Sequence, residues 1–314
     1  MSLAPIVLFV YSRLTETKKT VQALSNNFLA SESQLYIISD GPKSSQDYVK
    51  VQHVREYVKT ITGFKEIHII EWNRNKGLAD SVIDGISQVL QNHYSIIVLE
   101  DDLVTTPNFL DFMNQALIYY KCNNRVQSIS GYSLDINVNQ AFTSVYFHTR
   151  TFPWGWATWQ NRWNPEVFNK QKLRNLITTK ELNLNLFKKK CGADVEGMLI
   201  ASLEGLNNSW YIRWVLSHYL NDRLCVFPFK SKVSNIGHVE NATHCVGINT
   251  YQSSLDEDFS RAFNFEVPIS DDEINYEFLK YFSFYHKLSF RLKLMKSKKG
   301  RTMLLNEIIN RVRK

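Results

Sequence analysis

Residues 94–107 read YSIIVLEDDLVTTP, an apolar run that ends abruptly in acidic residues. Residues 96–99 are four consecutive aliphatic side chains, the pattern of a strand that is buried on both faces. Glu100, Asp101 and Asp102, the acidic triplet, follow this run directly. In open α/β sheets, ligands bind beyond the carboxyl ends of such strands. The stretch therefore predicts a buried strand of an α/β sheet, with the acidic triplet at the edge that binds ligand.

Three earlier segments repeat the strand pattern, and a segment of helical periodicity follows each of them. The predicted strands are PIVLFVY at 5–11, QLYIISDGP at 34–42 and EIHIIEW at 66–72. The predicted helices are TETKKTVQALSNNFL at 15–29, DYVKVQHVREYVKTI at 47–61 and GLADSVIDGISQVLQN at 77–92. Strands that alternate with helices at this spacing indicate an α/β fold, a mostly parallel sheet with helices on both faces.

The composition is that of a globular protein with a sizeable core. Of 314 residues, 44% are hydrophobic and 21% are charged, a balance that suits one or two domains. The sequence has no run of 18 apolar residues that would predict a membrane-spanning helix, and its N-terminus lacks the basic start of a signal peptide. The four cysteines have no CxxC spacing, so neither a zinc site nor a disulfide framework is indicated. We therefore expect a cytoplasmic protein.

The net charge of +7 is concentrated near the C-terminal end. Residues 287–314 contain ten Lys or Arg and one acid, so they carry +9 and the rest of the chain carries −2. Within them, RTMLLNEIINRVRK at 301–314 has an apolar stripe at helical spacing with basic flanks. Such a helix suits a peripheral contact through 287–314 with the inner face of the plasma membrane. The alternative is a helix that docks on the protein body with its cationic face in solvent.

The acidic triplet predicts a divalent metal site. Three adjacent carboxylates repel one another unless a cation or hydrogen-bond donors offset their charge. Mg²⁺ or Mn²⁺ that also binds phosphate oxygens does this well, because both ions prefer oxygen ligands. The alternative is a solvated acidic loop before the next predicted helix, PNFLDFMNQALIYY at 107–120.

The other three strand ends carry groups that suit a nucleotide. Arg13 follows the first strand and can donate to phosphate, and Asp40 follows the second and can accept from a base or ribose. Arg74 and Lys76 follow the third strand, just before a helix N-terminus, where phosphate is favoured. The chain has neither GxGxxG nor GxxxxGK[ST], which argues against a dinucleotide site and a P-loop. Together the four strand ends predict a site for a metal-bound nucleotide.

Four of the seven tryptophans lie in TFPWGWATWQNRW at 151–163. Trp154 and Trp156 flank Gly155 beside a proline, which indicates a shaped loop whose aromatic faces would support sugar rings. A buried aromatic cluster explains the same density of tryptophan equally well.

These motifs, in this order, resemble the glycosyltransferases of the GT-A fold over roughly residues 4–245. The likeness is to the N-acetylglucosaminyltransferase I family and its bacterial relatives that build surface polysaccharides. It depends on the motifs VLEDDLVTTPNFLDFM at 98–113, YFHTRTFPWGWATWQNRW at 146–163 and SKVSNIGHVENATH at 231–244, with SWYIRW at 209–214 typical of the bacterial branch.

The resemblance implies roles for five residues in a donor site. Arg13 and Asp40 would hold the nucleotide, with Asp40 facing uracil. Asp102 would bind the metal directly. Asp101 would lie near the ribose and the donor sugar, and Glu100 would support the other two acids.

The resemblance also implies a closing loop and an acceptor side. Thr243 and His244 match the loop that folds over the donor near its diphosphate. The tryptophan-rich second half of the chain would form the acceptor side, with Trp154, Trp156 and Arg213 as the residues expected to contribute.

Two positions depart from the family pattern. The general base of the family, an aspartate just before the helix that contains Trp and Arg, is Asn208 here. Asparagine does not accept a proton at neutral pH, so Asp194, Glu196 or Glu204 would serve instead. The histidine that contacts the nucleotide in the family falls near Ser81, which leaves that contact without a counterpart.

The activity implied is inverting, metal-dependent transfer of a sugar, N-acetylglucosamine in the first instance, from a UDP-sugar to a glycan or lipid-linked acceptor. The setting implied is the biosynthesis of bacterial lipopolysaccharide or capsule, with Mn²⁺ or Mg²⁺ as cofactor and no nucleic acid as partner. Residues 1–103 would bind the nucleotide-sugar, 104–255 would form the acceptor-side half of the same domain, and 256–314 would be the basic helical tail.

Two other classes of protein remain open. A sugar nucleotidyltransferase also uses carboxylates at strand ends, but it usually has a glycine-rich basic loop after its first strand, where this chain reads YSRLTETKK. A non-catalytic carbohydrate-binding protein would use the tryptophans, but it has no need of the acidic triplet. Metal-dependent release of UDP from a UDP-sugar would separate the transferase from both.

Overall fold

The computed structural model describes residues 2–138, 143–237, 251, 253–297, 300–302 and 304. These residues form ten strands, in chain order β1 (Ile6–Val10), β2 (Gln34–Ser39), β3 (Glu66–Glu71), β4 (Ser95–Glu100), β5 (Leu103–Thr105), β6 (Val126–Ser130), β7 (Val145–His148), β8 (Trp156–Trp159), β9 (Leu224–Pro228) and β10 (Val233–Asn235). They also form ten α-helices, namely α1 (Leu14–Ser25), α2 (Ser45–Val58), α3 (Leu78–Leu90), α4 (Phe109–Tyr120), α5 (Lys170–Thr178), α6 (Leu184–Cys191), α7 (Val195–Leu203), α8 (Trp210–Leu220), α9 (Asp272–Lys280) and α10 (Phe284–Met295).

The large sheet confirms the predicted α/β architecture. Its eight strands lie in the order β3-β2-β1-β4-β8-β6-β9-β7. Six of them run in one direction, whereas β8 is antiparallel to β4 and β6, and β7 is antiparallel to β9. β5 and β10 form a separate antiparallel pair. The sheet is therefore mostly parallel, and helices cover both of its faces.

The order of the strands reverses next to β1. From β1 the chain adds β2 and then β3 on one side, and it returns to place β4 on the other side of β1. β1 and β4 are parallel neighbours, with Phe9 opposite Glu100. The space beyond the carboxyl ends of β1 and β4 is therefore the position at which open α/β sheets bind ligands. We call it the switch crevice.

Both faces of the central strands are buried, as expected when helices cover a parallel sheet on two sides. Ile6, Leu8 and Val10 of β1 pack into the core formed with α1, α2 and α4. Val7 and Phe9 pack into the core formed with α3 and α8. This division follows from the two-residue period of a strand, and it holds β1 rigidly where it leads into the switch crevice.

The tryptophan-rich segment contributes mainly to the core. Trp156 packs against Trp210 and Trp214 on the α3 side of the sheet, and Trp159 lies in the core on the α4 side. Trp156 and Trp159 have no exposed surface. The sequence left two alternatives, a sugar-binding loop and a buried aromatic cluster, and the structure shows the buried cluster for these two residues.

Residues 253–282 pack on the body of the protein. Asp256 forms a buried ion pair with Lys232, Phe263 packs edge-on against α4, and Phe282 is buried among aromatic side chains. The predicted division of the chain, with a helical basic tail at 256–314, stays a prediction. None of the helices within the described ranges is long and apolar enough to cross a bilayer.

Candidate active site

An ion cluster lies at the switch crevice, between the ends of β1 and β4. Arg13, the last residue before α1, donates from Nη2 to Asp101 Oδ1 at 2.5 Å and to Asp102 Oδ2 at 2.9 Å. Both aspartates are buried, at 5% and 8% exposure, and the guanidinium side chain is 25% exposed. The structure thus brings together three residues that the sequence predicted at the ends of two different strands.

The turn that carries the acidic triplet is held from two sides. Thr20 Oγ1 of α1 donates to the carbonyl oxygen of Asp101 at 2.9 Å and accepts from the backbone N–H of Leu103 at 3.1 Å. The backbone N–H of Ile236, just after β10, donates to the carbonyl oxygen of Asp102 at 2.9 Å. Because β10 also pairs with β5, the acids are clamped between α1 and β10.

The three carboxylates carry more negative charge than Arg13 neutralises. Burial raises the pKa of Glu100 to about 8, and Asp102 and Asp101 add to this shift while Arg13 opposes it. Burial raises the pKa of Asp101 to about 6 against the opposing effect of Arg13. The pKa of Arg13 is itself raised, since the two aspartates outweigh the burial that favours its neutral form. The cluster therefore attracts further positive charge.

The donor atoms at this cluster fit a divalent ion that is shared with a ligand. Carboxylate oxygens are the ligands that Mg²⁺ and Mn²⁺ prefer, and Mg²⁺ commonly takes only one or two from the protein and the rest from phosphate and water. Across the part of the chain that the structure describes, no three His, Cys, Asp or Glu side chains converge into a metal cage. Asp102 and Asp101 would offer carboxylate oxygens to such an ion.

Gly237 covers Asp102 at van der Waals distance. A Cβ atom at position 237 would lie 2.0 Å from Asp102 Oδ2 and 2.8 Å from its Cγ, so only glycine fits there. Gly237 is itself fixed, because its N–H donates to Asn235 Oδ1 at 2.8 Å. The backbone after β10 thus forms one wall of the site.

Asp40 holds a neighbouring loop at the edge of the sheet. Its Oδ1 accepts from the N–H groups of Gly41 and Lys76, at 2.8 and 2.9 Å, and its Oδ2 accepts from the N–H of Gly77 at 2.9 Å and from Asn75 Nδ2 at 3.1 Å. Four hydrogen bonds use all the lone pairs of a carboxylate. A contact between Asp40 and uracil stays a prediction, and it would have to replace one of these bonds.

Asp40 also occupies the anion position at the N-terminus of α3. Gly77 is the N-cap of this helix with φ 78°, and its N–H points to the Asp40 carboxylate. Lys76 is paired with Asp84 at 2.7 Å and lies 3.6 Å above the ring of Trp72, while Arg74 is exposed to solvent. The phosphate that the sequence placed at Arg74 and Lys76 would therefore compete with the protein's own carboxylates.

The residues expected on the acceptor side fall into two groups. Trp154 lies before the start of β8, and its partly buried ring packs edge-on against Tyr132, with the ring centroids 4.6 Å apart. Trp156 offers no face to a sugar because it is wholly buried. Arg213 is 3% exposed and donates to the carbonyl oxygen of Phe168 at 2.7 Å. The acceptor roles predicted for Trp156 and Arg213 therefore do not fit their positions in the core.

The three acids expected to act as general base have other partners. Asp194 accepts two hydrogen bonds from the buried guanidinium of Arg150, at 2.6 and 3.2 Å. Glu196 pairs with Lys188 at 2.6 Å, and Glu204 is exposed just after α7. Within the described ranges, none of the contacts of these acids reaches the acidic triplet, and the general base stays a prediction. The predicted closing-loop residues, at 243 and 244, lie outside the described residues.

Two residues of the site were missed from the sequence. Thr20 lies on the buried face of α1 with Thr17, Val21 and Leu24, so a polar residue on an apolar stripe was the signal available. Gly237 follows a short strand whose partner, β5, lies about 130 positions earlier, and nothing in the local sequence connects the two.

Comparisons with known proteins show partial likeness to solved structures. No protein-family model matches the chain, and no curated protein matches it. A mannosyltransferase of Pyrobaculum calidifontis, solved with GDP-Man and Mn²⁺, is 8% identical over 49% of this chain and 44% of its own, with a TM-score of 0.35. Residues 1–349 of S. aureus TarS are 8% identical over 74% of this chain and 59% of their own, with a TM-score of 0.42.

A third solved structure is a putative nucleotide-diphospho-sugar transferase of Desulfovibrio desulfuricans G20. It is 14% identical over 54% of this chain and 68% of its own, with a TM-score of 0.34. This chain thus spans less than half of the mannosyltransferase and just over half of the TarS fragment. At these TM-scores the likeness carries no conclusion about activity, which has to come from the residues of this chain.

Proposed function

We propose that the protein is an enzyme that transfers a sugar from a nucleotide-sugar to a hydroxyl acceptor, with the switch crevice as its donor site. The observation that carries this proposal is the meeting of Arg13 with Asp101 and Asp102 between the carboxyl ends of β1 and β4. A strand-order reversal is where an open α/β sheet binds ligand. A guanidinium beside surplus carboxylates suits a ligand that brings both phosphate and a divalent cation.

The chemistry follows from the charges at the crevice. In sugar transfer the acceptor oxygen attacks the anomeric carbon, a base takes its proton, and negative charge builds on the departing diphosphate. Asp102, with Asp101, would hold Mn²⁺ or Mg²⁺, and such an ion stabilises the charge of a leaving diphosphate. Arg13 would offer its guanidinium to the phosphate oxygens, since it already lies beside the acids that would hold the ion.

The finer features of the proposal come from the resemblance of the motifs. They are a UDP-linked donor, N-acetylglucosamine as the sugar, inversion at the anomeric carbon and a glycan or lipid-linked acceptor of bacterial surface polysaccharide. Trp154 would contribute to the acceptor side, because its ring is only partly buried.

Nucleotide release tests the proposal. Purified protein is incubated with a panel of UDP-sugars and Mn²⁺, and UDP is measured with and without chelator. We expect release with at least one donor, abolished by chelator and lowered about 10²- to 10³-fold in Asp102→Asn, in line with the loss of a group that stabilises the transition state. Asp222→Asn is the control, because Asp222 is an exposed residue at φ 48°, a conformation that asparagine tolerates.

The same panel separates the other classes. Pyrophosphate formed from UTP and a sugar phosphate would identify a nucleotidyltransferase. Retention on immobilised glycans with no nucleotide turnover would identify a carbohydrate-binding protein. Either result, or normal UDP release by Asp102→Asn, contradicts the proposed function.

A further inference from the structure

Helix α10 presents a continuous apolar stripe to solvent. Phe284, Leu288, Leu292 and Met295 recur every three or four residues, so they lie on one face of the helix. Their exposed fractions are 73, 44, 50 and 50%. Single exposed apolar side chains are common on proteins, but a row of four on one helix marks an interaction surface. We call these four residues the apolar stripe of α10.

α10 is anchored to the protein at its start, and the side opposite the stripe is less exposed to solvent. Phe290 and Leu294 lie on the face away from the stripe, and both are partly buried. Phe282, two residues before the helix begins, is only 2% exposed. Ser283 caps the first turn, since its Oγ accepts from the N–H of His286 at 3.1 Å. The stripe therefore faces solvent on a helix that is anchored at its start.

Cations border the stripe, and acids are absent from this part of the sequence. Residues 284–301 contain seven Lys or Arg and no Asp or Glu. At 100° per residue, Arg291 falls beside one border of the stripe and Lys296 beside the other. An apolar band between two cationic borders is the arrangement of helices that lie in the plane of a membrane surface.

We propose that α10 docks on an anionic phospholipid bilayer, with its apolar stripe at the boundary of the acyl chains and its cations at the lipid phosphates. Each Lys or Arg near such a surface strengthens binding, and each buried apolar group adds to it. This surface overlaps the segment 287–314 through which the sequence predicted a membrane contact, and it places the apolar stripe at 284–295 and not at 301–314. The proposal does not depend on the donor site, because vesicle binding needs no nucleotide-sugar.

Charge argues against two other occupants of the stripe. A second copy of the chain would bring seven cations against seven cations, which repel one another. Nucleic acid binds through cations placed at the centre of a contact surface, where α10 has Leu288 and Leu292 instead. An anionic lipid surface satisfies both the apolar stripe and its borders.

Co-sedimentation with vesicles tests the proposal on the full-length chain. Vesicles of phosphatidylcholine with one quarter phosphatidylglycerol are compared with vesicles of phosphatidylcholine alone, at low and high salt. We expect binding to the anionic vesicles only, and release by 1 M salt, because the attraction of exposed charges is screened. Leu288→Ser with Leu292→Ser should weaken binding at least about tenfold, since each CH₂ group kept out of lipid costs a factor of about four.

Two further variants make the result specific. Leu186→Ser with Leu206→Ser removes two exposed leucines from the body, at 40% and 77% exposure, and should leave vesicle binding unchanged. Lys296→Ser keeps the stripe, removes one border cation and should weaken binding about fivefold. Thermal unfolding of each variant without vesicles should match that of the parent protein, because all of these side chains are exposed.

The outcomes that overturn the proposal are distinct. Equal vesicle binding by the stripe variant and the parent protein would exclude the stripe as the contact. A parent protein that ignores anionic vesicles but dissociates from dimer to monomer on loss of Leu288 and Leu292 would identify a second copy as the occupant. Binding of a DNA duplex that the same variants abolish would identify nucleic acid.

Discussion

Gly237→Ala tests whether the backbone after β10 holds Asp102 in position for a cation. The new Cβ would lie 2.0 Å from Asp102 Oδ2, and Cβ contacts below 3.0 Å are essentially never found, so the two atoms must separate by about 1 Å. The glycine backbone cannot yield easily, because Gly237 N–H is bonded to Asn235 and Ile236 N–H is bonded to the Asp102 carbonyl. The carboxylate therefore has to turn away, and it loses its 2.9 Å contact with Arg13.

Both cation affinity and stability should respond to this displacement. Loss of the support that orients a ligand typically lowers metal affinity about 10- to 100-fold, and we expect the Kd for Mn²⁺ to rise by that factor. Overpacking of a well-packed site costs about 1–3 kcal/mol, so the metal-free variant should also unfold at lower urea concentration. These two effects have separate readouts, a calorimetric titration with Mn²⁺ and a urea unfolding curve without metal.

Gly197→Ala is the matched control for this substitution. Gly197 lies inside α7, and a Cβ there meets nothing within 4 Å. Alanine is favoured over glycine in a helix by about 1 kcal/mol, so the control should be as stable as the parent or more stable, with unchanged Mn²⁺ binding. If Gly237→Ala binds Mn²⁺ and unfolds like the parent protein, the proposed role of the wall at Asp102 is refuted.

Three further predictions follow from the same structure. Thr20→Val should lower the free energy of unfolding by about 1–3 kcal/mol in urea, because it removes both hydrogen bonds that pin the acidic triplet to α1. Since the pKa of Glu100 is raised to about 8 and that of Asp101 to about 6, Mn²⁺ binding at pH 7 should release about one proton, measured by calorimetry in two buffers, and metal-free stability should fall as the pH rises towards 8. Burial lowers the pKa of His148 to about 3 and that of His218 to about 4, so each histidine should lower stability by up to about 1.4 kcal/mol per pH unit as the pH falls from about 6.5 to 4. Because Glu100 and Asp101 act in the opposite direction over this range, the measurement is the difference between the unfolding profiles of the parent protein and His218→Gln, and equal slopes would contradict the prediction.

The sheet and its ligand-binding edge could be predicted because they have local signals. Buried strands such as β1 and β4 are continuous apolar runs, and the residue after such a run lies at the edge of the sheet. The pattern therefore identified the acidic triplet and Arg13 correctly as edge residues. That they touch each other follows from the parallel pairing of β1 with β4, which the alternation of strands and helices predicts only in outline.

The partners of side chains could not be predicted, since they depend on pairings distant in sequence. Asp40 has the residue type and position of a nucleotide ligand, yet its carboxylate is used by a loop 35 to 37 residues later. Trp156 and Trp154 share one motif, but the strand β8 begins between them and buries only the first. A motif records which residue types are present, and the register of distant strands determines which of them can meet a ligand.

The ion pair between Lys232 and Asp256 limits where this chain can be joined to another protein in a chimera. Lys232 immediately precedes β10, its carbonyl oxygen accepts from Thr106 N–H at 2.9 Å, and its ammonium group is buried against Asp256. A chimera joined at residue 255 would separate these partners and leave a buried unpaired charge, at a cost of about 3–5 kcal/mol, next to the strand that supports Asp102. A C-terminal segment taken from another protein should therefore begin after Phe282, which is also buried. Residues 253–282 should be kept together with the backbone after β10 that forms the wall of the crevice.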